Sequence, residues 1–197
     1  MVATTLREQI LEASLELIRE AGLAGLSMRE VARRAGVSHQ APYHHFRDKE
    51  TIVAELVERG FDALSERLET VAARKGEPWQ RLSRSGREYV AFALDNPVQF
   101  RLMFRPELVD PSRFPSVQRA ARRALAVLMR HVDEQKRYSA RQKDAAVSLH
   151  WSVVHGLATL FLDGALGHQF VDRKQRDKHV DQVLKLFFAN RSRGDAT

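Results

Sequence analysis

Between Ser38 and Lys49 the chain gathers side chains suited to reading base edges and gripping phosphates. Ser38, His39, Gln40, Tyr43 and His44 offer hydrogen-bond donors and acceptors to bases or phosphate oxygens. Ala41 is small enough for close approach or for contact with a thymine methyl. Arg29, Arg33, Arg34, Arg47 and Lys49 surround them with cations for the phosphate backbone. Gln40 has the amide geometry that pairs bidentately with adenine. Such side chains specify a sequence only when a small rigid element carries them into the major groove, so the local signals around them decide the reading.

Those signals describe two short helices and a tight turn. Ser27 and Glu30 have capping-box spacing, which marks a helix start. Val31, Ala32 and Ala35 give that helix a narrow apolar face. Gly36 stands where a helix stops in the left-handed conformation, and Val37 follows it toward the core. Ser38 is an N-cap candidate for a helix over His39–His45, with Pro42 about one turn inside, where a missing N–H costs little. Phe46 packs inward, with His45 beside it turned inward or toward a phosphate, and Asp48 caps the next helix. Thr5 and Glu8 mark the start of a preceding helix that runs to Ala21 and stops at Gly22, with Leu6, Ile10, Ala13, Leu17 and Ile18 on its core side. A glycine turn between two helices, the second rich in hydrogen-bonding groups, is the helix-turn-helix pattern.

The run GVSHQAPYHHFRDKETIVAEL closely resembles the turn, recognition helix and following helix of TetR-family transcription regulators, and the first 50 or so residues match throughout. Far downstream, WSVVHGLATL (Trp151 to Leu160) is similar to the W-x-x-x-H-G signature of one class of ligand domain in that family. The resemblance implies a homodimer on a palindromic operator, most often a repressor, released when a small molecule binds the C-terminal domain. It places DNA contacts at Ser27, Met28, Arg29, Ser38, His39, Gln40, Ala41, Tyr43, His44 and Lys49. Pro42 departs from the leucine often found there, and His44 from the commoner aromatic or basic residue, which bears on base preference.

The remaining chain reads as helices throughout. One runs from Lys49 to about Arg74 with Ile52, Leu56, Phe61, Leu64, Leu68 and Val71 inward, and Gly60 inside it is either a bending point or a packing glycine. Trp79–Asp95 ends at Asn96-Pro97. A short helix carries Phe100, Met103 and Phe104. Val117–Tyr138 is basic and amphipathic, with Ala121, Leu125, Leu128 and Val132 on its apolar face, and core packing is the simpler reading than a membrane surface. Ala145–Leu166 is apolar nearly all round. It has the length of a membrane span, but His150, His155 and Asp163 interrupt it and no second span exists, so no membrane is expected. Such a helix most simply packs against a copy of itself, beside the helix Lys178–Asn190. The tail from Arg191 is polar and expected to be loose.

Composition excludes several classes. With no cysteine there is no disulfide framework, thiol nucleophile or cysteine-bound zinc. No catalytic, nucleotide-binding or metalloprotease motif occurs, so neither enzyme, metal site nor cofactor is expected. His150 and His155, five apart, lie on different helix faces. The net charge of +7 is not concentrated on the DNA-reading part, since residues 1–50 carry seven basic and seven acidic side chains. Nothing resembles a signal peptide, and the cytoplasm is the default location.

The expected protein is all-α, about nine helices, with a three-helix helix-turn-helix domain over 1–48 and a helical ligand-binding and dimerisation domain over 49–197. Tyr89, Phe92, Phe100, Met103, Phe104, Trp151, His155 and Phe161 are more aromatic surface than packing needs and would line a pocket for a small apolar or aromatic ligand. Leu157, Leu160, Phe161, Val183, Leu184 and Phe187 would form the dimer patch. Two other readings stay open: a ligandless architectural DNA-binder, and a helical interaction or enzymatic protein with an incidental helix-turn-helix.

Overall fold

The computed structural model describes residues 5–110, 112–170 and 172–189; the polar tail from Arg191 lies outside them. Among the described residues there are eight α-helices, five short 3-10 turns and no strand. The helices are α1 (Leu6–Ala21), α2 (Met28–Arg34), α3 (Lys49–Ala72), α4 (Pro78–Asp95), α5 (Pro97–Met103), α6 (Pro115–Asp133), α7 (Lys143–Leu162) and α8 (Arg173–Ala189). The ninth expected helix, over 39–45, is a 3-10 turn at Ala41–His44. Pro42 brings no N–H to an α-helical ladder, and bonds three residues apart take over, from Ala41 to the Ser38 carbonyl and from Tyr43 to that of Gln40.

The chain divides into two units. The first comprises residues up to Phe61 together with Val98–Ala120; the second comprises Asp62–Pro97 and the residues from Ala121 onward. The sequence boundary at 48/49 marks the end of the helix-turn-helix, whereas this division groups α5 and the loop after it with the N-terminal helices.

In the first unit Ile10, Leu17, Leu26, Val31, Ala32, Phe46, Ile52 and Leu56 are almost wholly buried. Thr5 and Ser27 accept from the N–H groups of Glu8 and Glu30 at 3.3 and 3.2 Å, as their spacing predicts. The box at Ser27 is one-sided, because the Glu30 carboxylate goes to Arg33, whose Nε lies 3.0 and 3.1 Å from its oxygens. Asp48 Oδ1 caps α3, accepting from the Thr51 N–H at 2.8 Å. Gly60 is a packing glycine: a Cβ there would stand 2.6 Å from Met103 Sδ and 2.9 Å from Gln99 Cγ. Gln99 Nε2 also donates to the Leu56 carbonyl at 2.8 Å, so α5 is pinned along α3.

In the second unit α4 packs against α7 and α8. Gly86 lets α4 approach closely, since a Cβ there would meet Val154 at 3.0 Å and Leu184 at 3.5 Å. On α6 Val132 is buried as expected, but the rest of the stripe is turned by one residue: Ala124, Val127 and His131 are buried, as is Ala120 in the first unit, while Ala121, Leu125 and Leu128 are only half-buried. Charge patterning could not reveal this, because the stripe includes a histidine. Residues 140–162 satisfy length and composition for a membrane span, and 28% of their most apolar window is buried within the chain.

Candidate functional site

The helix-turn-helix is built on a Schellman stop. After α2, Gly36 takes φ 70, Val37 N–H bonds to the Ala32 carbonyl at 3.0 Å, and Gly36 N–H bonds to that of Arg33 at 3.3 Å. The chain then turns into the 3-10 segment, which is anchored from beneath. Pro42 is buried, Phe46 is 1% exposed, and the Pro42 carbonyl accepts from both His45 and Phe46. Anchoring Pro42 and Phe46, four apart, leaves the residues between and before them outward: Ser38, His39, Gln40, Tyr43 and His44 are exposed, and Ala41 is half-buried. Tyr43, at 53%, is among the most exposed large hydrophobic residues described. Five outward side chains that donate or accept hydrogen bonds, held on a short rigid turn, form a surface that can read a groove.

Of the flanking residues, Ser27, Arg29, Arg47 and Lys49 are exposed, but Met28 is 8% exposed and belongs to the core. A methionine at the first helical position of α2 faces inward because the apolar stripe continues through Val31 and Ala32. His45 is exposed rather than turned inward. Two expected phosphate cations have partners within the chain. Arg33 pairs with Glu30, and Arg34 reaches α1, where Glu20 Oε1 lies at 2.9 Å and Glu16 Oε2 at 3.2 Å. Arg29, Arg47 and Lys49, together with Arg33 in its pair with Glu30, are the exposed members of the expected cation set at this face.

The predicted ligand residues are distributed over several environments. Phe100 and Met103 are buried in the first unit, and Phe104 sets its ring edge on Phe61 at 5.6 Å. In the second unit Phe92 is buried under the Arg67 guanidinium, 5.7 Å from its ring centre. Phe161 packs against Phe170 at 5.8 Å and His179 at 6.2 Å. Tyr89, Trp151 and His155 do come together. Trp151 Nε1 donates to the Tyr89 hydroxyl oxygen at 3.2 Å, and that hydroxyl lies 2.8 Å from His155 Nδ1. An indole N–H only donates, so the phenol oxygen accepts from Trp151, and its bond with His155 Nδ1 runs in the direction that the imidazole tautomer sets. Burial holds the Tyr89 pKa up and the His155 pKa down, which keeps both neutral. The triad is thus a chain of oriented dipoles without charge.

The six predicted dimer residues divide in the same way. Leu157, Phe161 and Leu184 are buried within the chain, Val183 and Phe187 are half-buried, and Leu160 is exposed. Sequence periodicity missed Leu149 and Leu186, which are exposed too. It also missed a polar relay that runs out from the core: buried Ser85 Oγ lies 3.0 Å from buried His131 Nε2, His131 Nδ1 lies 3.4 Å from the half-buried Glu134 Oε2, and Arg81 pairs with Glu134 at 3.0 Å. Serine, histidine and glutamate separated by 46 and 3 residues carry no local signal. His150 and His155 have separate partners, as their spacing predicts. The ring of His150 packs on Phe187 and Phe188, with the Tyr138 hydroxyl 3.5 Å from Nε2.

Comparison with known proteins agrees with this geometry. Residues 10–56 match the bacterial regulatory proteins of the tetR family, and residues 82–185 match the tetracyclin repressor-like C-terminal domain. A protein of unknown function from Rhodococcus sp. RHA1 is 28% identical, with a TM-score of 0.79 over 98% of this chain and 96% of its own. A tetR-family regulatory protein from Rhodococcus RHA1 is 18% identical, with a TM-score of 0.75 over 93% of this chain and 97% of its own. The fatty acid degradation regulator FadR from Bacillus halodurans, 15% identical, shares the fold at a TM-score of 0.73 over 93% and 94%. With both of its domains matched in order and an outward-facing polar turn on a helix-turn-helix scaffold, the chain belongs to the TetR family of DNA-binding transcription regulators.

Proposed function

We propose that this regulator is a cytoplasmic homodimeric repressor that leaves a palindromic operator when a small, largely apolar ligand binds its C-terminal domain. The observation that carries the reading is the outward set Ser38, His39, Gln40, Tyr43 and His44 on a turn anchored by Pro42 and Phe46. Gln40 reads an adenine and Tyr43 a phosphate, with Arg29, Arg47 and Lys49 supplying sequence-independent attraction. The dimer is supported by α7 and α8, whose Leu149, Leu160 and Leu186 leave apolar surface outward, with Leu186 69% exposed. A two-fold dimer reads half-sites a whole number of helical turns apart.

The ligand reading is supported by Tyr89, Trp151 and His155, whose dipoles orient a guest without asking it to carry charge. Release follows only if the ligand favours a conformation that binds DNA poorly, because equal affinity for both conformations shifts nothing. The test has two stages. DNA selected by the protein from its own genome should yield a palindrome, and Gln40→Ala should relax preference at one base pair per half-site, at a cost of about 1–3 kcal/mol. Apolar compounds titrated onto that complex should then release it. A protein that selects no common sequence refutes the reading, and one that selects a palindrome but answers to no apolar compound loses the ligand half of it.

A further inference from the structure

Lys49, the cation proposed to meet a phosphate, stands between two carboxylates, Asp48 and Glu50. On sequence grounds this is a poor place to meet a polyanion, with two negative charges flanking one positive. The structure brings in a second cation from far along the chain. Arg113, 63 residues beyond Glu50, pairs through Nη1 with Glu50 Oε2, and its Nη2 lies 3.5 Å from Asp48 Oδ2. The loop is shaped to hold it there. Asp110 Oδ1 accepts from the N–H and the hydroxyl of Ser112, both at 2.8 Å, and the Asp110 carbonyl accepts from Arg113 and Phe114 at 3.1 Å. Ser116 Oγ fastens the other side of the loop to Glu58 Oε2 at 2.8 Å. The Phe114 ring lies 5.3 Å from the guanidinium. All these residues belong to the first unit.

We infer that Arg113 is a positioning residue for DNA binding, cancelling the carboxylates beside Lys49 so that the start of α3 can approach the phosphate backbone. With Arg113 the group Asp48, Lys49, Glu50 and Arg113 is neutral; without it those three residues are net negative, and the exposed Arg47, whose charge also acts on Asp48, is left to offset them alone. Asp48 is fixed by its capping bonds to Thr51, at 2.8 Å from the N–H and 2.9 Å from the hydroxyl, so its charge cannot swing away. One uncompensated charge about 8 Å from a phosphate at moderate salt lowers affinity about two- to fivefold per half-site, and the effect fades as salt rises. This rests on the proposed place of Lys49 at a phosphate.

The experiment measures binding of the full chain to its selected operator by fluorescence anisotropy at about 50 and about 200 mM salt, a range over which phosphate contacts dominate the change. Lys49→Ala should weaken binding and make its salt dependence shallower. Arg113→Ala should lower affinity about four- to twenty-five-fold for two half-sites at the lower salt, Arg113→Lys should keep most of it, and Arg113→Ala with Glu50→Gln should recover it. Recovery is the decisive reading, since a residue that merely braces the loop is not rescued by deleting its own partner. If Lys49→Ala changes nothing, the docking reading falls and takes this inference with it. If Lys49→Ala behaves as expected while Arg113→Ala is indifferent or is not rescued, the inference alone is overturned. Glu50→Gln by itself removes one of the two carboxylates and leaves the Arg113 charge in place: affinity should rise about four- to twenty-five-fold for two half-sites, and no rise overturns the proposal.

Discussion

Replacing Gly60 by alanine tests what that glycine is for, because the two readings differ in sign. In the middle of an exposed helix, glycine to alanine stabilises by about 1 kcal/mol. At Gly60 the new methyl would stand 2.6 Å from Met103 Sδ, 2.9 Å from Met103 Cγ and 2.9 Å from Gln99 Cγ, all closer than van der Waals contact allows. Met103 is buried and has little room to retreat, and overpacking of this kind costs about 1–3 kcal/mol. Moving Gln99 aside would stretch its 2.8 Å bond to the Leu56 carbonyl, worth about 1 kcal/mol more. The steric and hydrogen-bond costs outweigh the helix gain, leaving Gly60→Ala about 1–3 kcal/mol less stable. For a chain of this length that is about 2–12 °C in Tm. Thermal melts and urea midpoints read it directly. Met103→Ala, which makes the space, should make Gly60→Ala close to neutral in the double variant, a coupling of about 1 kcal/mol or more. A Gly60→Ala protein more stable than the parent would refute the packing reading and return Gly60 to the role of a bend.

Three further outcomes follow from the same geometry. Burial holds the His131 pKa below its ordinary 6.5, so as pH falls below 6.5 the unfolded chain takes up a proton that the folded one refuses. Stability should then decline from pH 6.5 downward, above the window in which Glu8 and Asp48, whose pKa values are lowered from 4.5 and 3.8, begin to lose theirs. His131→Gln should make the Tm profile between pH 6.5 and 5 shallower, with His155, held down by burial in the same way, supplying part of what remains; an unchanged slope removes His131 as a source. Leu160→Glu with Leu186→Glu, two exposed positions, should give a folded monomer by sedimentation with weak operator binding, whereas a double variant that still sediments as a dimer places the interface elsewhere. Tyr89→Phe removes the oxygen that joins Trp151 to His155 and should cost about 1–3 kcal/mol of stability. In the folded fraction operator affinity should persist while the response to a ligand weakens, and an unaltered response excludes the phenol from recognition.

Much of this protein was legible in local sequence because its helices are delimited by local chemistry. Thr5, Ser27 and Asp48 cap through hydrogen bonds to residues three along, Gly36 supplies a left-handed φ that other residues resist, and Asn96-Pro97 interrupts a helix for steric reasons; none of these needs a distant partner. The outward set of the helix-turn-helix follows from period and turn, which is why Ser38 to His44 could be singled out, and Met28 was misplaced where the apolar stripe and the motif overlap. Tertiary structure decided everything that depends on which face meets which. A histidine on the buried stripe of α6 turns that stripe by one residue because Ser85 and Glu134 satisfy its ring, and no periodicity of apolar residues can record a polar member. Among the eight residues proposed for a ligand pocket, the direct bonds of Tyr89 to Trp151 and His155 had no signal in the sequence, because hydrophobic type states that a residue is buried and not beside what. Gly60 and Arg113 make the same point from opposite sides: an absent side chain and a long charged one, each explained only by residues 39 or more positions away that the fold brings alongside.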